Sequence, residues 1–168
     1  MLPKSKQELR SILLPMINFR QDDKKFNYRI SGILHREGKI LFHKYINGKS
    51  WMLPGGRAEF LEDSKETLQR EFQEELNCVI NVNSLKYVVE NFFKYNQLDY
   101  HELEFIYHIE LQDGTIPSDD FEVVEFGVTY LFKWISIEDL KIESIKPNCL
   151  VQSLDKLLST DIQHFIHK

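Results

Sequence analysis

The sequence predicts an α+β sandwich in which a few helices pack on a sheet. Three observations lead there. Runs rich in β-branched and aromatic residues recur along most of the chain, Asp63 to Leu76 has the clearest helical period, and Gly- or Pro-containing breaks separate the runs.

The opening segment reads as a short helix within an N-terminal extension over residues 1–20. Ser5 and Glu8 have capping-box spacing ahead of Leu9, Ile12 and Leu13, and Pro15 follows. Gln21 to Lys25 is a charged loop. Phe26 to His35 and Lys39 to Tyr45 flank Arg36-Glu37-Gly38, a hairpin signal with glycine at the turn. Trp51-Met52-Leu53 is stopped by Pro54-Gly55-Gly56, and Arg57 to Phe60 reads as a short strand. Asp63 can cap the next helix with Glu66 at the capping-box position, while Leu68, Phe72 and Leu76 recur every four residues. Val79 to Phe93, Leu103 to Leu111 and Val128 to Ile135 are strands by composition, with Gln112 to Glu125 a polar, acidic loop. Pro147 opens a final helix through Leu158, followed by a tail, within residues 147–168.

The chain has 168 residues, close to the size of one domain with one core, and no Gly/Ser-rich linker divides it. Its 42% hydrophobic and 28% charged content is that of a globular protein. A net charge of −5 argues against a dedicated binder of polymeric nucleic acid, which normally shows a basic face. Cys78 and Cys149 stand far apart, so neither a disulfide framework nor a thiolate zinc site is expected. Ser11 to Phe19 is too short and too broken by Pro15 to span a bilayer, and no small-residue cleavage site follows it. The expectation is a cytoplasmic protein without membrane association, a monomer or homodimer.

Glu71, Glu74 and Glu75 carry the chemistry. At helical spacing they fall within about a 100° arc, about a quarter-turn from the apolar stripe. Like charges so placed destabilise a helix, and a divalent cation removes that penalty. Oxygen-only ligands suit hard ions such as Mg²⁺ or Mn²⁺. Standing alone, the run would read as a solvated acidic face. It does not stand alone: Gly56 is followed after five residues by Glu62, and after seven more by Arg70-Glu71-Phe72-Gln73-Glu74-Glu75. Chance should give this spacing in on the order of one chain in 100,000, at a residue usage of about one in fifteen.

The segment resembles the Nudix hydrolase signature, and the lead-in Trp51-Met52-Leu53-Pro54-Gly55-Gly56 is similar to the family's usual one. It departs where the family has glycine and an apolar residue and this chain has Asn77 and Cys78. Asn is the next-best residue for a left-handed helix stop, so the departure is compatible with activity.

The resemblance implies a Nudix-like α/β/α sandwich with a mixed sheet and hydrolysis of a nucleoside diphosphate linked to another moiety. It implies metal binding by Glu71, Glu74 and Glu75, with the Gly55 carbonyl and Glu62 joining the network, and an orienting role for Arg70. The general base is Glu71 or a glutamate outside the signature, from Glu102, Glu104, Glu122 and Glu125. Arg29, Arg57 and Lys44 are candidates for phosphate contact; Arg29 and Arg57, with Glu102, Glu104 and Glu125, form the candidate substrate-binding set. Phe92, Phe93, Tyr95 and Tyr100 are either base-stacking groups or ordinary strand aromatics. The implied substrate is a small nucleotide diphosphate. Rival readings are a pyrophosphohydrolase of RNA 5′ ends and a catalytically idle nucleotide-binding regulatory domain.

Overall fold

A computed structural model describes residues 15–153, 156, 159 and 161–168, so the helix expected around Ser5 to Leu13 lies outside the described residues. The strands are β1 (Asn18–Gln21), β2 (Lys24–Arg36), β3 (Lys39–Tyr45), β4 (Trp51–Met52), β5 (Gly55–Arg57), β6 (Val79–Tyr95), β7 (Leu98–Asp113), β8 (Phe121–Glu125), β9 (Val128–Ser136), β10 (Ile145–Lys146) and β11 (Gln163–His167). The helices are α1 (Ser64–Leu76) and α2 (Cys149–Gln152). The main path of the 11-stranded sheet runs β10-β4-β3-β2-β7-β6-β11, with β1 and β5 paired to β2 and β9 bridging β3 and β8. The pairs β2–β7, β4–β10 and β6–β11 are parallel, so the sheet is mixed.

Strand alternation sends side chains to two packed faces. On one, Leu68 and Phe72 of α1 meet Ile30, Leu41, Ile80 and Ile109. On the other, Cys149 and Leu150 of α2 meet Phe42, Leu53, Tyr87 and Ile106. Complete burial of Leu68 and Phe72 contributes about 1.5–3 kcal/mol each before chain entropy is counted, which fixes α1 against the sheet. The sandwich expected from the sequence is present.

Four expectations are corrected. Residues Gly55–Arg57 form β5, where Pro54-Gly55-Gly56 reads as a breaker and the strand was expected over Arg57 to Phe60. The glycines permit this close pairing: Gly55 has φ +143°, and a Cβ there would lie 2.2 Å from the Ile30 carbonyl oxygen. Within the expected acidic loop, Phe121 and Val123 face inward on β8, with Phe121 stacked on Phe132 at 5.0 Å. Strand β7 begins at Leu98 rather than Leu103, because Asn96 and Gln97 at φ 48° and 65° make a two-residue hairpin turn. Among the described residues, the helix expected from Pro147 to Leu158 is α-helical over Cys149–Gln152. Ser153 leaves helical geometry while its Oγ bonds the Cys149 carbonyl at 2.7 Å, and the tail beyond contains β11.

Helix α1 starts and stops as its residues require. Asp63 accepts from the Lys65 and Glu66 amides, and Glu66 returns a bond from the Asp63 amide at 2.9 Å. At the other end Asn77 is left-handed, φ 51° and ψ 39°, with its N–H on the Phe72 carbonyl. Asn77→Gly is therefore expected to be neutral or slightly stabilising, with turnover intact. Asn77→Val should cost about 1–2 kcal/mol, because a β-branched residue resists that conformation, and should slow turnover by misdirecting Glu74 and Glu75. Thermal unfolding and turnover of both variants check this; equal tolerance of Val and Gly would contradict it.

Candidate active site

The site is built around Arg70. Its guanidinium donates to Glu62 Oε1 at 2.7 Å and Oε2 at 3.0 Å, Glu71 Oε1 at 2.7 Å, Glu74 Oε2 at 3.2 Å and the Arg57 carbonyl at 3.1 Å. Glu59, buried and absent from the sequence-based candidates, comes within 3.9 Å of Arg70. Burial works against the charge on Arg70, but Glu62 and Glu71 outweigh it and hold the guanidinium firmly protonated. Burial likewise pushes Glu62 up, yet the bond and charge of Arg70 bring it below the usual carboxylate range.

The other carboxylates behave differently. Burial raises Glu71 despite Arg70. Burial pushes Glu75 up to about 8, with Glu71, Glu125 and Glu74 adding repulsion and Arg29 opposing it. Glu125, half-buried at the end of β8, is raised by burial and by Glu74. Close packing sets the crowding: a Cβ on Gly56 would lie 2.1 Å from the Glu71 carboxyl carbon, so glycine there lets the carboxylate sit against β5.

Behind the helix, Arg29 and Glu104 are register partners on β2 and β7, with Nε 3.6 Å from Oε1. Arg29 also donates to the Leu53 carbonyl at 3.1 Å, and Ser31 donates to Glu104 at 2.6 Å. Burial raises the Glu104 carboxyl and Arg29 pulls it back. Arg29 feels Glu104, Glu102, Glu75 and Glu71, which places it between the strand and helix carboxylates.

The structure thus gathers Glu62, Arg70, Glu71, Glu74, Glu75 and Glu125 at one end and Arg29, Glu102 and Glu104 beside them. Arg57 brings its carbonyl to Arg70. Lys44 instead lies over the Trp51 ring at 4.7 Å, and Glu122 points to solvent on the outer face of β8. Among the described residues, no three His, Cys, Asp or Glu side chains form a ready-made metal cage, and Arg70 bonds one oxygen each of Glu71 and Glu74. An open depression of about 280 Å³ beside α2, bordered by Leu140, Ser144 and Val151, includes none of the helix carboxylates.

His43 was missed, since a lone histidine in a strand carries no sequence signal. It is 3% exposed, neither ring nitrogen has a hydrogen-bond partner among the described residues, and the ring stacks on Tyr130 at 5.4 Å. Burial, aided by Arg29, drops its pKa from 6.5 to about 3. A depressed value means the unfolded chain binds the proton first, so stability is full above pH 6.5 and falls as pH drops toward 3. By pH 5 the loss should reach about 2 kcal/mol. His43→Phe keeps the stacking, so it should flatten this acid limb and add about 1 kcal/mol at pH 7. Urea unfolding at pH 7 and pH 5 tests it, and an unchanged acid limb in the variant would reject the assignment.

Fold and site together define a hydrolase of phosphoric anhydrides. A family model described as NUDIX domain matches residues 25–157, and the chain belongs to the Nudix family, in the class of Nudix pyrophosphohydrolases. Use of divalent metal ions is general in that family. Solved structures share the fold. An ADP-ribose pyrophosphatase from Streptococcus suis superimposes with TM-score 0.57 at 17% identity, covering 83% of this chain and 98% of that one. A UDP-X diphosphatase gives 0.61 at 18% identity, covering 96% and 75%. A MutT protein from Bacillus halodurans gives 0.59 at 17% identity, covering 84% and 89%. No curated protein sequence matches the chain. Among the described residues no helix is long and apolar enough to cross a membrane.

Proposed function

We propose that this chain hydrolyses the diphosphate linkage of a small nucleotide-type substrate, a nucleoside diphosphate joined to another moiety, with Mg²⁺ or Mn²⁺ and in the cytoplasm. The observation that carries the reading is the crowding of Glu71, Glu74, Glu75 and Glu125 beside Arg70 and Arg29. An all-oxygen donor set of this charge fits a hard divalent ion. Glu71, Glu74 and Glu75 would hold it, with Glu62 and the Gly55 carbonyl in the surrounding network. When bound, the ion neutralises the diphosphate and makes a bound water more acidic.

The chain's own residues do the rest. Arg70 orients Glu71 and Glu74 through its hydrogen bonds and keeps Glu62 ionised. Glu71 already gives one oxygen to Arg70 and is packed on Gly56. Glu125, entering from a separate element, is the better-placed general base for the attacking water. Arg29 is the group to receive a phosphate oxygen, since it faces both carboxylate sets.

The net charge of −5 favours a small substrate over a polymer. A panel of dinucleoside, sugar-linked and free-triphosphate nucleotides with each metal, run beside 5′-triphosphorylated RNA, tests this. Turnover of nucleoside diphosphate derivatives is expected to exceed that of the RNA; strong preference for the RNA would replace this reading with 5′-end pyrophosphohydrolysis.

A further inference from the structure

Beyond Arg29 the same sheet face continues as a row of polar side chains crossing four strands. Asn27 on β2 is the register partner of Glu102 on β7, Glu102 of Asn91 on β6, and Asn91 of His167 on β11. Register partners share a face, so these four side chains stand abreast, about 4.8 Å from strand to strand. Asn27 is 3% exposed, while Glu102, Asn91 and His167 are half-buried and open the row to solvent.

The row contains polar atoms with nothing to bond. Asn27 Oδ1 and His167 Nδ1 are buried without hydrogen-bond partners among the described residues. The identity of the first is chemically fixed. Glu102 Oε2 accepts from the Asn27 side chain at 3.3 Å, and an ionised carboxylate only accepts, so the amide nitrogen must face it and the orphaned atom is the oxygen. Leaving such an atom unpaired is unfavourable, and native structures generally satisfy it. Asn27 Oδ1 and the Glu102 carboxylate therefore present neighbouring acceptors, a pattern that calls for neighbouring N–H donors.

Two residues farther along each strand the surface changes character. Phe93 and Tyr100 are register partners stacked at 4.8 Å and 14°, and Lys25 lies 5.5 Å from the Tyr100 ring centre. Phe92 and His101 stack on the opposite face, so strand alternation separates the aromatic groups that the sequence presents together. Along β2, Asn27 is about 7 Å and Lys25 about 13 Å from Arg29, a span that matches phosphate, then sugar and ring.

Resting on the reading of the site as a nucleotide diphosphate hydrolase, we infer that Asn27 and Glu102 form the base-recognition subsite and select a base that offers adjacent imino and amino N–H donors, as guanine does. Asn91 and His167 border that edge, and Phe93 and Tyr100 supply the aromatic shelf beside it. Adenine presents its amino group without an adjacent ring N–H donor. Uracil presents a single N–H flanked by carbonyl oxygens that would face the Glu102 carboxylate.

The test is calorimetric titration of the full chain with guanosine, inosine, adenosine and uridine 5′-monophosphates and with ribose 5-phosphate, without added divalent ion. Guanosine monophosphate is expected to bind at least tenfold more tightly than ribose 5-phosphate and more tightly than each other nucleotide. Asn27→Leu, whose folding is checked by thermal unfolding, and Glu102→Gln should each erase the margin of guanosine monophosphate over ribose 5-phosphate. The inference is overturned if guanosine monophosphate has no advantage in the unmodified protein, or if its advantage survives in both variants. No bond is cleaved in these titrations, so their failure leaves the hydrolase reading standing. A hydrolysis panel without turnover would sink that reading and leave these affinities untouched.

Discussion

Arg70→Met is expected to destabilise the protein by about 3–5 kcal/mol, because it removes one cation from several carboxylates at once. Glu62 would lose the bonds at 2.7 and 3.0 Å, and Glu71 its bond at 2.7 Å. Both groups would remain in a poorly solvated setting with like charges nearby. Denaturant unfolding measures the loss. Adding Glu62→Gln and Glu71→Gln to the same chain should recover much of it, which separates uncompensated charge from lost packing. A loss below about 1 kcal/mol for Arg70→Met would show that the carboxylates do not depend on this residue.

Glu75→Gln is expected to reduce metal-dependent turnover on the order of a hundredfold while raising stability in metal-free buffer. The substitution keeps the side-chain shape, removes one charged donor and relieves repulsion from Glu71, Glu125 and Glu74. Opposite signs for activity and stability mark a group retained for function at a cost to the fold. Glu74→Gln should also slow turnover, with less gain in stability because Glu74 is bonded to Arg70 at 3.2 Å. Turnover and metal dependence unchanged in both variants would remove these glutamates from the metal site.

Helix α1 was readable because its information is local. Asp63 and Glu66 encode the start, Leu68 and Phe72 the buried stripe, and Asn77 the stop. The carboxylates came with it, since residues three and four apart on a helix share a face wherever the helix lies. Glu125 could be named in advance but not chosen over Glu122, because that choice depends on whether 121–125 forms a strand and which side it turns inward. Asn27 and His43 were invisible for a related reason. Their significance is an unmet hydrogen-bonding need, which arises only when strands distant in sequence close around them. The strand in the C-terminal tail shows the same limit, since parallel pairing of β11 with β6 connects residues far apart in the chain.

Among the described residues, strand β2 pairs with β1, β3, β5 and β7, whereas β8 pairs with β9 alone. This asymmetry divides the site by its resistance to opening. Interior amides of β2, such as that of Ile30, should exchange with deuterated solvent only through events near global unfolding, whereas those of β8 should exchange through cheaper local excursions. Arg29 therefore belongs to the slow-exchanging part of the molecule and Glu125 to the fast-exchanging part. A diphosphate gripped by Arg29 would meet a fixed anchor on one side and a carboxylate that arrives and withdraws with its strand on the other. Release of the cleaved product would then call for excursions of β8, with the rest of the sheet undisturbed.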